Sequence, residues 1–312
     1  MRTPGFTKTL LCSVFFLSAA FTAETPVNAA EGEGYPVVMD AEGHMRDPGT
    51  GKGIYAGAGI AIWKNGDRYE GEFKDGVCHG RGVLILNNGN RYEGEFRNGL
   101  LNGKGVKIFE NGKRYEGEFR DGLQHGRGRM FYDNGDRYEG EFVRGLPEGR
   151  GVKYYEHGGR YEGQFKEGLP NGEGVKVFDD GTRLEFEFKN GLPRGKGLRI
   201  MKDGCKYEGS MKEGLPEGKG VLVAEDGSRY EGEFKYGLPG GKGLQVLADG
   251  SRFEGEFKDG LPRGRGRGVI VIPGKGTYKG EVKDWLPDGR GVLITNEGKK
   301  LEGTFAGGEF LS

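Results

Sequence analysis

Of the 312 residues, 65 are Gly, about 21% against an ordinary share of about 7%. Only 34% are hydrophobic, which argues against a thick closed core, and three Cys exclude a disulfide-dense scaffold. The 47 basic and 47 acidic residues cancel, leaving no surplus positive charge for binding nucleic acid.

The chain opens on Arg2 and Lys8, followed by an apolar run from Leu10 to Phe21 that only Ser13 and Ser18 interrupt. Pro26 and then Val27-Asn28-Ala29 follow. A basic start, a short apolar stretch and small residues make the layout of a secretory signal peptide. A cut after Ala29 puts Val27 and Ala29 at the two small positions, whereas a cut after Ala23 puts bulky Phe21 in one of them. The run falls short of the roughly 20 residues that cross a bilayer. Residues 1–29 are therefore expected to be a cleaved leader, with the mature chain exported to a periplasm, cell envelope or medium. Residues 30–45 read as a linker.

From residue 46 onward one unit repeats. Tyr69-Glu70-Gly71-Glu72-Phe73 recurs from Tyr92, Tyr115, Tyr138 and Tyr161, degrades at Leu184 and Tyr207, and returns at Tyr230 and Phe253. Each step is 23 residues; one step of 25 leads to Tyr278 and a last one of 23 to Leu301. Counting from the leading aromatic as zero, offsets 0 to 5 alternate apolar or Gly with charge, the pattern of a half-exposed strand. Offsets 6 and 7 are a turn pair, as in Asp75-Gly76 and Asn98-Gly99. A second alternating run follows, as in Val106-Lys107-Ile108, and a second turn pair such as Asn111-Gly112 closes the unit. Such pairs favour the positive φ of tight hairpins. The prediction is an all-β chain, an elongated single-layer antiparallel meander of hairpin repeats of about 23 residues. At about 4.8 Å per strand, it would advance roughly 10 Å per unit and reach on the order of 100 Å. A Gly at every fifth position or so argues against helix.

The spacing Y-E-G-E-F-x-x-G-x-x-x-G-x-G resembles the MORN repeat, over roughly residues 46–312. The resemblance implies a narrow twisted sheet of hairpins. It also implies a place among cytoskeletal, junctional and organelle scaffolds, in a family named for a proposed role at membranes. Some members append a lipid kinase or a methyltransferase domain; here the repeats occupy the chain to its end, so neither activity is carried over.

Strand alternation puts the offset-0 and offset-4 rings on one face. If registers match, offsets 14 and 16, such as Val83 and Ile85, join them. The opposite face carries Glu70, Glu72 and Lys74. Parity also places a basic row at offset 12 on the aromatic side (Arg81, Lys104, Arg127, Arg150), within reach of cation–π contact with Tyr. The expected contact face comprises Tyr69, Phe73, Tyr92, Phe96, Tyr115, Phe119, Tyr138, Phe142 and Tyr161. A second candidate is the stretch 258–283, where Lys258, Arg263, Arg265, Arg267, Lys275, Lys279 and Lys283 face only Asp259 and Glu281. The longer step falls there, and Trp285 follows in place of a turn Gly.

No catalytic or metal constellation is expected, and no cofactor. His44, His79, His125 and His157 lack ligand spacing and read as turn residues. The Gly103-Lys104-Gly105 string has neither the length nor the following Ser or Thr of a phosphate loop. Cys78 and Cys205 lie too far apart along a rod to bond.

The leading expectation is a non-enzymatic, exported scaffold that meets protein partners through its aromatic and charged surface. The alternative is binding of anionic lipid headgroups or envelope glycans by the aromatic and basic rows. Phe305 and Phe310 near an open terminal strand predict pairing with a second copy.

Overall fold

The computed structural model describes residues 37–40, 42, 44–46 and 56–312. The expected leader, residues 1–29, lies outside them. The described residues form 25 β-strands and no helix.

Two units are distinguished. The first, described to Gly172, contains β1 (Val37–Asp40), β2 (Met45–Arg46), β3 (Gly57–Ile62), β4 (Arg68–Lys74), β5 (Val77–Ile85) and β6 (Arg91–Arg97). It continues through β7 (Leu100–Ile108), β8 (Arg114–Arg120), β9 (Leu123–Phe131), β10 (Arg137–Val143), β11 (Leu146–Tyr154) and β12 (Arg160–Lys166). From β3 onward each strand pairs antiparallel with the next. The start departs from this order: β1, inside the expected linker 30–45, pairs with both β2 and β3.

The chain passes into the second unit, Glu173–Ser312, within β13 (Leu169–Val177). That unit holds β14 (Arg183–Lys189), β15 (Leu192–Ile200), β16 (Lys206–Lys212), β17 (Leu215–Val223), β18 (Arg229–Lys235) and β19 (Leu238–Val246). Its remaining strands are β20 (Arg252–Lys258), β21 (Leu261–Ile272), β22 (Gly276–Lys283), β23 (Leu286–Thr295), β24 (Lys300–Ala306) and β25 (Glu309–Phe310). They too form an unbroken antiparallel meander.

Turn chemistry explains the hairpins. Asp75 (φ 56°) and Gly76 (φ 76°) both take positive φ, and Lys74 pairs with Val77 around them. This is the two-residue turn whose twist matches that of the strands. The other turn is a three-residue loop in which the Leu86 N–H donates to the Asn90 carbonyl at 2.9 Å, with Gly89 at φ 88°. Neighbouring units are stitched at both edges. The Gly99 N–H donates to the Cys78 carbonyl at 2.9 Å, and the Asn87 N–H donates to Asp67 Oδ1 at 2.9 Å.

The two-residue turn also corrects the expected face. Lys74 meets Val77, so partners across this turn have indices of opposite parity: Tyr69 faces Leu84, and Glu70 faces Val83. The offset-15 residues, not those at 14 and 16, share the aromatic side. Further in, Gly140 pairs with Gly151 and Phe142 with Pro147, so β11 carries two extra residues there. Two extra residues leave the parity unchanged.

Candidate interaction surface

The aromatic rings pack edge to face in successive repeats. Tyr138 meets Phe142 at 5.1 Å and Phe165 at 4.8 Å, both edge to face. Tyr115 likewise meets Phe119 at 5.1 Å and Phe142 at 4.9 Å. Tyr69 does the same with Phe73 and Phe96. Each such pair is worth about 0.5–1.5 kcal/mol beyond its buried area.

These rings are closed to partners. Tyr69, Tyr115, Tyr138 and Tyr161 are 0% exposed, and Phe73, Tyr92, Phe96, Phe119 and Phe142 are also buried. They are the core, which corrects the expectation of an aromatic contact face made of these rings. The Tyr rings lie flat across glycines. A Cβ on Gly128 would collide with the ring and hydroxyl of Tyr115, and one on Gly82 with Tyr69. Lying flat brings each hydroxyl to a backbone carbonyl: Tyr69 donates to Glu72 at 3.0 Å, Tyr115 to Glu118 at 2.9 Å and Tyr138 to Glu141 at 3.0 Å. Burial, reinforced by the nearby Glu carboxylates, pushes these phenols above their ordinary range.

The other face is the accessible one, and its rows run across the strands. Arg91 stands between Ile85 and Ile108, while Glu93 stands between Val83 and Val106. Arg and Glu two apart on one strand pair with each other: Arg68–Glu70 at 2.6 Å, Arg114–Glu116 at 2.6 Å, Arg229–Glu231 at 2.6 Å. Pairs this exposed add about 0–1 kcal/mol each; their consequence is a face of locally balanced charge around half-covered aliphatic side chains. The offset-12 row lies here too, contrary to expectation, and is exposed. Arg81 faces Glu95, Lys104 faces Glu118 and Lys219 faces Glu233.

Arg137, just before a leading Tyr, lies 4.4 Å from the centre of Tyr154; the lysines that lie over rings come from offset 15. Lys107 Nζ stands 4.1 Å from the centre of Phe109 and 5.2 Å from that of Tyr92. Lys153 Nζ lies 2.9 Å from Asp136 and near the rings of Tyr132 and Tyr155. The same row mixes Leu84 and Met130 with Arg199 and Gln245, so amphipathic alternation does not reveal these lysines.

Two positions show how the row repairs itself. Leu184 replaces the leading Tyr, and Phe186 replaces the following Gly. The Phe186 ring lies over Gly197, the place a Tyr ring takes in other units, and is 4% exposed. Trp285 is the second repair. In its unit the usual Phe is Val282, fully buried, and the Trp285 ring stands 5.9 Å from Phe253, accepting φ 65° to do so. The half-buried indole is thus packing that substitutes for a missing ring, not a free docking anchor.

The basic stretch keeps its accessibility. Arg263, Arg265, Arg267, Lys275, Lys279 and Lys283 are all exposed. Lys275 pairs with Glu309 at 3.0 Å, and Arg265 with Asp288 at 3.0 Å. At the chain end, Phe305 is buried against Tyr278 at 4.8 Å. The Thr304 N–H donates to the Ser312 carbonyl at 2.8 Å and the Leu311 N–H to Thr304 at 2.9 Å. The chain's own last residues therefore run along the edge of β24 that was expected to stand open to a second copy.

Cys78 and Cys205 are free and buried; burial pushes the Cys78 thiol up to about 12. Near β1 and β2, Asp40, Glu42 and His44 bring atoms able to ligate a metal within 4.8 Å of one another. Asp40 Oδ1 is already engaged by the backbone N–H of His44 at 2.7 Å and of Glu42 at 3.1 Å, which is how this turn closes.

A one-layer repeat sheet with its rings inside and a patterned face outside is a scaffold or interaction module. The MORN repeat family matches in nine successive segments: 69–91, 92–114, 115–137, 138–160, 161–183, 187–206, 207–229, 230–252 and 253–267. Together these make up more than half of the chain, which belongs to the MORN repeat family. The skipped residues 184–186 are those of the Leu184–Phe186 exchange. Comparison with curated proteins finds no match.

Similar solved structures include the TCP10 domain of Danio rerio CPAP in complex with a STIL peptide. It is 16% identical, covers 79% of this chain and 98% of its own, and has a TM-score of 0.39. The TCP domain of Drosophila melanogaster SAS-4 with a proline-rich motif of Ana2 is 17% identical over 49% of this chain and 77% of that one, with a TM-score of 0.28. The CPAP G-box domain is 19% identical over 65% and 100%, with a TM-score of 0.31.

Proposed function

We propose that this chain is an exported, non-enzymatic scaffold that holds protein partners outside the cytoplasm on its patterned sheet face. The observation that carries the reading is the recurrence, unit after unit, of one outer arrangement: an Arg–Glu pair set between aliphatic side chains, on a backbone held by buried rings. Mixed, charge-balanced rows with an accessible aliphatic component suit a protein surface. Support for export comes from the basic start, apolar run and small residues of positions 1–29.

A photo-crosslinking side chain placed at Ile85 (36% exposed) and, separately, at Ile294 (54% exposed) tests the partner class in the native cells. Recurrent protein adducts are expected from both; adducts to lipid alone, or none from either position, would sink the reading. A reporter active only outside the cytoplasm, fused after Ala29, tests export: activity is expected, and a silent, full-length cytoplasmic fusion would refute it.

A further inference from the structure

The charge pattern of the outer face changes at β21–β22. Across the units, offset 1 is acidic, as at Glu93, Glu116, Glu208, Glu231 and Glu254; at the corresponding position β22 has Lys279. The register slips in the same place. Counted from its leading aromatic, Arg265 stands where Lys242 stands in the preceding unit. Lys242 faces Glu256, but the two-residue insertion slides Arg265 past Glu281 to face Lys283. Like charges directly opposite each other in a sheet are destabilising. The Glu281 carboxylate is drawn aside: its Oε2 accepts the Arg290 backbone N–H at 3.0 Å. Among the described residues, Arg267, Lys279 and Lys283 have no ion-pair partner within 4.0 Å.

We propose that this face binds an extended acidic segment of a partner protein. Arg265 and Arg267 are alternate residues of one strand, about 6.8 Å apart. Lys283 lies opposite the first of them, and Lys279 lies one alternate step beyond Glu281 on the facing strand. A peptide in extended conformation presents carboxylates at the same spacing when every second residue is acidic. Half-buried Val269, which faces Lys279, and Leu286 (45% exposed), which faces Lys283, flank the charges with aliphatic surface. A flat anionic membrane fits less well. It would also cover exposed Glu254 and Glu256, which face Arg267 and Arg263 from β20, and Glu302 on β24, whereas a single extended segment can lie over β21 and β22 alone. The inference deepens the protein-partner reading by naming a partner chemistry for one site.

The test is fluorescence anisotropy of the mature chain with a labelled peptide of alternating Glu and Ser. Binding that weakens as salt is raised is expected. Lys279→Glu with Lys283→Glu should weaken it about tenfold or more, and Lys279→Gln with Lys283→Gln by less, while Arg127→Glu in the first unit leaves it unchanged. Because all three altered side chains are exposed, melting curves matching the unaltered chain are expected and verify that the fold persists. Equal affinity for the charge-reversed chain would overturn the proposal. So would capture of phosphatidylserine vesicles with no binding of the peptide, which would assign the patch to a membrane. Loss of peptide binding in the unaltered chain, with crosslinked partners at Ile85 retained, would overturn this site and leave the scaffold reading standing.

Discussion

The Tyr115 hydroxyl donates to the Glu118 carbonyl at 2.9 Å while its ring covers Gly128. One side chain therefore satisfies a part-buried backbone group and fills the space two glycines leave. Tyr115→Phe keeps the filling and strands the carbonyl, and is expected to cost about 1–3 kcal/mol. Gly128→Ala drives a methyl into the ring and is expected to cost at least as much. Each unit in such an array leans on its neighbours alone, so the loss should be local. Hydrogen exchange should quicken across β8 and β9 and remain unchanged in strands several units away.

The Leu184–Phe186 exchange predicts a strong non-additivity. Phe186→Gly alone empties the space over Gly197 and should cost about 3–5 kcal/mol. Leu184→Tyr alone places a second ring in filled space and should cost about 1–3 kcal/mol. The double variant rebuilds the arrangement of Tyr207 over Gly220 and is expected to match or exceed the natural chain in urea denaturation. A double-mutant cycle measures the coupling, and additive single costs would refute the account.

Trp285 predicts a related cycle. Trp285→Gly removes the positive-φ strain of a bulky residue but opens the space beside Phe253, for a net loss of about 1–3 kcal/mol. Adding Val282→Phe restores the ring that the preceding units place there, and recovery of the melting temperature is expected. A double variant no more stable than Trp285→Gly would show that the indole's role is not packing.

Alkaline titration should unfold the chain by way of its tyrosines. Burial pushes Tyr230 up to about 12 from an ordinary 10.0. A group whose folded pKa is raised favours the native state fully at pH values below its unfolded pKa. That contribution is lost as pH climbs from about 10 through about 12. Phenolate absorbance should thus lag that of free tyrosine and then rise together with loss of the β-sheet circular dichroism signal. Phenolate appearing near pH 10 with the sheet intact would contradict the burial.

Much of this was legible in the residues alone. The 23-residue step, the Asp-Gly and Asn-Gly turn pairs and the charge alternation around Tyr69 specify strands, hairpins and an antiparallel meander, because each depends on local geometry within a few residues. The basic stretch 258–283 was visible as composition. Its like-charge apposition of Arg265 and Lys283 was not, since that depends on which residues an insertion brings opposite each other. Phe186 and Trp285 read as irregularities in the repeat, and packing alone reveals them as replacements for absent rings.

The sequence by itself thus determined the repeat, its strands and its turns. Tertiary structure decided which side faces water. Two residues in the hairpin turn set odd positions opposite even ones, which sends Val83 and Ile85 to the charged face and Leu84 to the rings. Packing of each Phe between successive Tyr rings then closes that side. What remains for a partner is the outer face of Arg, Glu and aliphatic rows, because burying the aromatic surface is what holds a one-layer sheet together.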